Sequence, residues 1–205
     1  MTGFRFGKFI EAIGASVTLL RRSIENGCFI ECVCLLASQI DAMLRTAIIL
    51  NDQIINRSKD IEESLIYQAP DDKPIYEREV YRRANEVGII DDEVHDKLSE
   101  AYNERNKVVH RYIISEIRTV DILDLAQEYF EIKDVVYDIL YRLEKKQVEM
   151  GVGITIKGDI TGNRAEQEEM EKRIKDAIRE KHGDPVLSAR LAHSHIEKND
   201  EETIP

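Results

Sequence analysis

The chain has 205 residues, with 29 basic against 40 acidic side chains, a net charge of −11, and 34% of its residues charged against 42% hydrophobic. That length suits one domain, or one domain with an appendage, and the apolar fraction is enough to build a core, which excludes wholesale disorder. So acidic a balance also argues against broad nucleic-acid binding, because phosphate contacts need cationic surface.

In chain order, Phe6, Phe9, Ile10, Ile13, Val17, Leu20 and Ile24 recur at intervals of three and four, which predicts a helix over about 4–26. Glu11 inside this apolar run, with no clean cleavage site after it, favours a mature helix over a signal peptide. Gly27 marks its stop. Residues 28–51 are apolar nearly all round and read as the central core helix, so the polar Glu31, Gln39, Asp41 and Arg45 stand out. No uninterrupted apolar run approaches 18 residues, so no transmembrane helix or membrane partner is expected. Cys28, Cys32 and Cys34 form an odd, clustered set with no second Cys/His group at zinc spacing. They read as small hydrophobes in a reducing cytoplasm, with no disulfide framework, metal or cofactor implied.

Residues 52–74 form a polar connector ending in QAPDDKP, with a short helix at 59–67 as one option. Residues 75–87 predict a helix that closes at Gly88. Asp91 and Asp92 then open a helix of about twenty residues, with acids in its first turn and bases in its last, matching the helix dipole. Thr119 is a suitable N-cap for a helix over 120–147, with Ile122, Leu125, Ala126, Phe130, Val136, Ile139, Leu140 and Leu143 as its stripe. Beyond it, 152–163 has three glycines and alternating isoleucines, consistent with a hairpin or an extended arm. Residues 164–181 predict a charged helix with a narrow stripe of Met170, Ile174 and Ala177/Ile178, followed by a weakly packed tail. The expected fold is an all-α bundle of four or five helices over 1–150, with an appendage over 151–205.

Charge is unevenly spread: residues 1–57 carry +1, 58–150 carry −9 and 151–205 carry −3. Within the most acidic third, 105–118 is a basic island, with Arg105, Lys107, Arg111 and Arg118 against Glu116 alone and His110 besides. The island opens with Arg105-Asn106-Lys107-Val108-Val109-His110-Arg111-Tyr112 at the end of a predicted bundle helix. An arginine followed five places later by a histidine carries little alone; Arg190 and His195 in the tail have the same spacing. The helical context and the longer RNKVVHRY string separate the first pair from the second.

That string, in an all-α chain, resembles the HEPN superfamily (higher eukaryotes and prokaryotes nucleotide-binding domain). The family pattern is an arginine, usually a polar residue next, then a histidine after four to six others; Arg105, Asn106 and His110 fill those places. His110-Arg111-Tyr112 also resembles the His-x-Tyr extension of HEPN toxins that pair with minimal nucleotidyltransferase antitoxins. Over about residues 5–147, the resemblance implies a homodimeric helical bundle with two motif copies facing one cleft. It further implies metal-independent RNA cleavage in a toxin or phage-defence role. Some members are instead non-catalytic adaptors or antitoxins, and Tyr112 would be an adenylylation target if a nucleotidyltransferase were the partner.

The residue types suit that chemistry. Cleavage needs the 2′-hydroxyl deprotonated, the leaving 5′-oxygen protonated and the phosphorane's charge stabilised. Histidine exchanges protons near neutral pH, and arginine stays cationic and can grip two phosphate oxygens. Five positions on an ideal helix, however, set Arg105 and His110 about 140° apart. Asn106 and His110, four apart, share a face, and Tyr102 lies one turn earlier on the same face. Lys107 and Arg111 are supporting cations. The plainer alternative makes Arg105 an ion-pair partner of Glu104 or Glu100, His110 a helix-end residue and Tyr112 a core residue, in a helical dimer scaffold with no nucleic-acid role.

Among secondary candidates, Asp41 or Glu31 could orient the motif arginine, as an earlier acidic residue often does in HEPN proteins; alternatively Asp41 faces the surface and pairs with Arg45. Arg78, Arg82 and Arg83 could line an RNA groove, though Glu77, Glu79 and Glu86 alternate with them and favour a solvated face. His193 and His195 sit in a polar tail with little to recommend a metal site, and His95 reads as a surface residue.

Overall fold

The computed structural model describes residues 2–155 together with Lys172 and Asp176. Two compact units divide the chain, Met1–Thr161 and Gly162–Pro205. In the second, Lys172 and Asp176 are helical and exposed. The expected arm beyond Thr155, the remainder of the charged helix and the tail with Arg190, His193 and His195 lie outside the described residues.

The first unit is built from α1 (Thr2–Glu25), α2 (Phe29–Asn56), α3 (Glu63–Ile66), α4 (Glu77–Glu86), α5 (Asp92–Arg111), a 3-10 turn (Tyr112–Ile114) and α6 (Thr119–Met150). There is no strand among the described residues, so the fold is all-α. α2 is the hub: α6 packs along it, and α1, α3, α4 and α5 also touch it. Its Leu36, Ile40, Leu44 and Ile48 enter one core with Tyr81 of α4, Leu98 and Ala101 of α5 and Ile122, Tyr129 and Val136 of α6. Each such large apolar side chain stabilises the fold by about 1.5–3 kcal/mol on burial.

α2 bears on the expectation that no helix crosses a membrane. It is long and apolar enough to cross a membrane by length and composition, because two charged residues within an otherwise apolar window do not lower the average enough. Its residues 43–50 are buried without a break, and most of the apolar window lies inside the bundle. α2 is the core helix that the sequence suggests.

Local chemistry sets three of the helix ends. α1 closes at Gly27, whose φ of +68° suits glycine, while the Cys28 N–H donates to the Ser23 carbonyl at 2.8 Å. α5 begins at Asp91, whose carboxylate accepts the Val94 N–H at 2.9 Å. α6 differs from expectation: Arg118 is its N-cap and Thr119 its first residue. Asp121 reaches back to accept the Arg118 N–H at 2.7 Å, so the acid supplies the cap that a threonine hydroxyl was expected to supply.

α1 buries only part of the stripe that its sequence suggests. Glu11, Ala15, Leu20 and Ser23 are its buried residues, whereas Ile10, Val17 and Ile24 stand 40%, 52% and 47% exposed. At the far end, Gln147 of α6 is fully buried, donates to the Leu50 carbonyl and Gln53 Oε1, and accepts from the Thr155 N–H and Oγ1. The chain after α6 therefore folds back, and the first unit runs past residue 150. Gly153 permits this turn, since its φ is +77° and a Cβ there would lie 2.2 Å from the Gln147 side chain.

Candidate functional site

Arg105 and His110 occupy opposite environments on α5. The Arg105 guanidinium is turned inward, with side-chain exposure of 14%. Its Nη1 donates to both carboxylate oxygens of Glu77, at 2.7 and 2.6 Å, and its Nη2 donates to Asn106 Oδ1 at 3.0 Å. It also lies 4.8 Å from the Tyr102 ring centre, with Arg78 over the same ring at 5.7 Å. Burial works against the Arg105 charge, but the Glu77 carboxylate outweighs it and holds the guanidinium above its ordinary range.

Glu77 is held in reach from α2. Asp41 accepts from Arg45 Nε at 2.7 Å, and Arg45 donates through Nη1 to the Leu65 carbonyl and through Nη2 to the Ile75 carbonyl, at 3.2 and 2.7 Å. Arg45 thus ties down the chain two residues before Glu77 opens α4. Asp41 keeps its Arg45 partner, as one of the two sequence readings has it, but is 18% exposed and faces the bundle more than solvent. Burial pushes its carboxyl up, and Arg45 opposes that rise. It makes no hydrogen bond to Arg105; Glu77 does. Glu31 is exposed.

Two buried phenols lie near enough to the pair to feel its charges. Tyr81 and Tyr129 are fully buried, and their hydroxyls find no hydrogen-bond partner among the described residues. Burial drives both phenols well above their usual range; Arg105 pulls both back, while Glu77 pushes both up. Cys34 belongs to the same neighbourhood, its thiol raised first by burial and then lowered by Arg105. Cys32 is buried and Cys28 exposed, and all three cysteines are free thiols.

His110 is exposed and belongs to an open groove of about 740 Å³ along α5. Asn106, Lys107, His110 and Arg111 line its C-terminal end, and Asp96, Glu100 and Glu104 the other. Arg105 is not in its lining; Asn106 links the two sides, since it lines the groove while accepting from Arg105. Lys107 pairs with Glu104 across one turn. Tyr112 faces elsewhere: it is 37% exposed and lines a separate groove of about 610 Å³ with Cys28, Phe29, Glu31, Cys34 and Ile122.

The remaining candidates are engaged otherwise. Arg82 pairs with Glu79 and Glu86 on its own helix, and Arg83 reaches Glu62 at 2.6 Å and Asp52 at 3.1 Å, so α4 presents a charge-balanced face. His95 Nδ1 lies 3.4 Å from Asp96 Oδ1. Among the described residues no three His, Cys, Asp or Glu side chains group as metal ligands.

Glu77 is the residue that sequence reasoning missed. It lies 28 positions before Arg105, and an acid in a first helical turn reads as dipole compensation. No family model matches the chain, and neither a curated protein nor a solved structure matches it.

Proposed function

We propose that this protein is a HEPN-type endoribonuclease that cuts RNA without a metal, as a homodimer in a toxin or phage-defence role. One observation supports the reading most: Asn106 and His110 line one groove beside two cations, while Arg105 holds Asn106 from beneath. In this scheme a His110 imidazole takes the proton from the ribose 2′-hydroxyl, and that oxygen attacks the phosphorus. The P–O5′ bond breaks, and the partner's copy of the histidine, in its protonated form, gives a proton to the leaving 5′-oxygen. The products are a 2′,3′-cyclic phosphate and a 5′-hydroxyl. Lys107 and Arg111 neutralise charge on the non-bridging oxygens, and Asn106 fixes the scissile phosphate.

Arg105 takes a different part from the one the family resemblance implies. Its guanidinium is spent on Glu77 and Asn106, so it is a positioning residue, and gripping phosphate would require breaking the Glu77 pair. RNA incubated with the protein in EDTA tests the proposal. Cleavage is expected, lost in His110→Ala and weakened in Asn106→Ala, with cyclic phosphate ends. Intact RNA with the wild type, or equal cleavage by His110→Ala, would overturn it.

A second reading draws on the same ion pair. If Arg105 is purely structural, the chain is a non-catalytic HEPN module that binds a nucleotidyltransferase-type partner or another helical protein. The exposed tip after the motif favours contact there: Ile113 and Ile114 are 93% and 82% exposed. Co-purification of such a partner with no cleavage supports this version, and an added AMP on Tyr112 by intact mass after co-expression identifies the partner as an adenylyltransferase.

A further inference from the structure

We infer that Arg78 of α4 binds the RNA phosphate next to the scissile one, and that the Tyr102 ring of α5 positions it for that contact. The inference rests on the ribonuclease reading and says where the strand goes once it leaves the groove. Along α5 the groove turns acidic, with Asp96, Glu100 and Glu104 in its lining, so a polyanion is repelled from that end. A strand that extends from Asn106 on the Tyr102 side therefore crosses α5 instead of following it. Arg105 cannot meet it there, since Nη1 is held by both oxygens of Glu77 and Nη2 by Asn106. Lys107 is paired with Glu104. The cation for this phosphate has to come from another element.

α4 carries three arginines, and the structure separates them. Arg82 is matched by Glu79 and Glu86, and Arg83 by Glu62 and Asp52. Arg78 is exposed, and no carboxylate pairs with it among the described residues. Its neighbour is the Tyr102 ring, whose centre lies 5.7 Å from the guanidinium carbon. The two carboxylates beside it in the chain already have cations, Glu77 in Arg105 and Glu79 in Arg82. Arg78 also stands in the first turn of α4, where the helix dipole favours an anion.

A carboxylate would hold an arginine by cancelling its charge. An aromatic ring attracts the guanidinium while leaving its N–H donors free for a phosphate. Tyr102 lies 4.8 Å from Arg105 as well, so one ring borders both the unpaired cation and the arginine that holds Asn106. Along the helix axis Tyr102 is about 6 Å from Asn106 and about 12 Å from His110. That offset places Arg78 beside the neighbouring phosphate, away from the reacting atoms. Its grip is the same before and during cleavage, so it strengthens binding without speeding the chemical step.

The salt dependence of RNA binding tests this, using a short fluorescein-labelled oligouridylate and the full chain carrying His110→Ala, which prevents cutting. In that background Arg78→Ala is expected to raise the dissociation constant about three- to tenfold. It should also flatten the slope of log binding constant against log salt by about 0.7, the value of one single-strand phosphate contact. Arg82→Ala removes the same charge from the same helix and should leave the slope unchanged, because Glu79 and Glu86 already match Arg82. Arg78 is exposed, so circular dichroism and melting of Arg78→Ala should stay close to the parent. In the cleaving chain, Arg78→Ala should raise KM by a similar factor and keep kcat within about twofold. An unchanged slope in Arg78→Ala, an equal change in Arg82→Ala, or a fall in kcat with KM unmoved would overturn the inference, while metal-free cleavage by the wild type would still support the ribonuclease reading. An Arg78-dependent slope on RNA that the wild type never cuts would overturn that reading and keep the phosphate site.

Discussion

Five positions separate Arg105 from His110, and that interval divides α5 into an inward, supported side and an outward, exposed side. Arg105 is inward, gripped by Glu77, near the Tyr102 ring and close enough to two buried phenols to influence them by its charge. His110 is outward, in a groove with Asn106, Lys107 and Arg111. The division follows from helical geometry, since five residues turn about 140°. A motif read as one pair is therefore split between an inward, ion-paired arginine and an exposed histidine, with Asn106 bonded to the first and lining the groove of the second.

The comparison breaks most easily from the inside. Arg105→Ala leaves Glu77 poorly solvated and without its cation. Breaking a fully buried pair costs about 3–5 kcal/mol, and partial exposure here lowers the expected loss to about 2–3 kcal/mol, read by urea unfolding. Glu77→Gln keeps the shape and one acceptor, so a smaller loss of about 1–2 kcal/mol is expected, and a double-mutant cycle with Arg105→Ala should give a coupling above about 1 kcal/mol. If the two losses simply add, the inward side is not a unit.

Tyr102→Leu removes the ring beneath the two arginines while keeping apolar bulk, and should cost about 0.5–1 kcal/mol. The smallest effect lies away from α5 and appears as a pH dependence. Hydrogen bonds from Arg83 hold the Glu62 carboxyl below its ordinary value of 4.5, against partial burial. A depressed folded-state value contributes stability that is present above 4.5 and fades as pH falls through the lowered value. The stability gap between wild type and Glu62→Gln should therefore narrow on acidification below about pH 4.5. A gap that widens instead would contradict the Arg83 pairing.

The parts legible in the sequence are those that local chemistry decides. Asp91 marks the start of α5 through its own carboxylate, Gly27 ends α1, and the all-round apolar pattern of α2 identifies the hub. What was not legible depends on contacts between distant segments. Glu77 meets Arg105 where α4 packs beside α5, with Arg45 holding Ile75 two residues before it, and nothing near Arg105 in the chain announces that partner. The buried face of α1 was hidden for another reason. Three members of its strongest periodicity, Ile10, Val17 and Ile24, stay exposed, while its buried residues include Glu11, Ala15 and Ser23, which read as polar or small. Tyr81 and Tyr129 are a further case, since only packing buries both phenols near enough to feel the Arg105 and Glu77 charges.

The division of α5 is tested most directly by His110→Ala, with metal-free RNA cleavage and unfolding free energy measured on the same preparation. The account predicts a cleavage rate lower by about 100-fold or more, at a stability within about 0.5 kcal/mol of the wild type. Cleavage at the wild-type rate, or a loss of stability as large as that of Arg105→Ala, would contradict it.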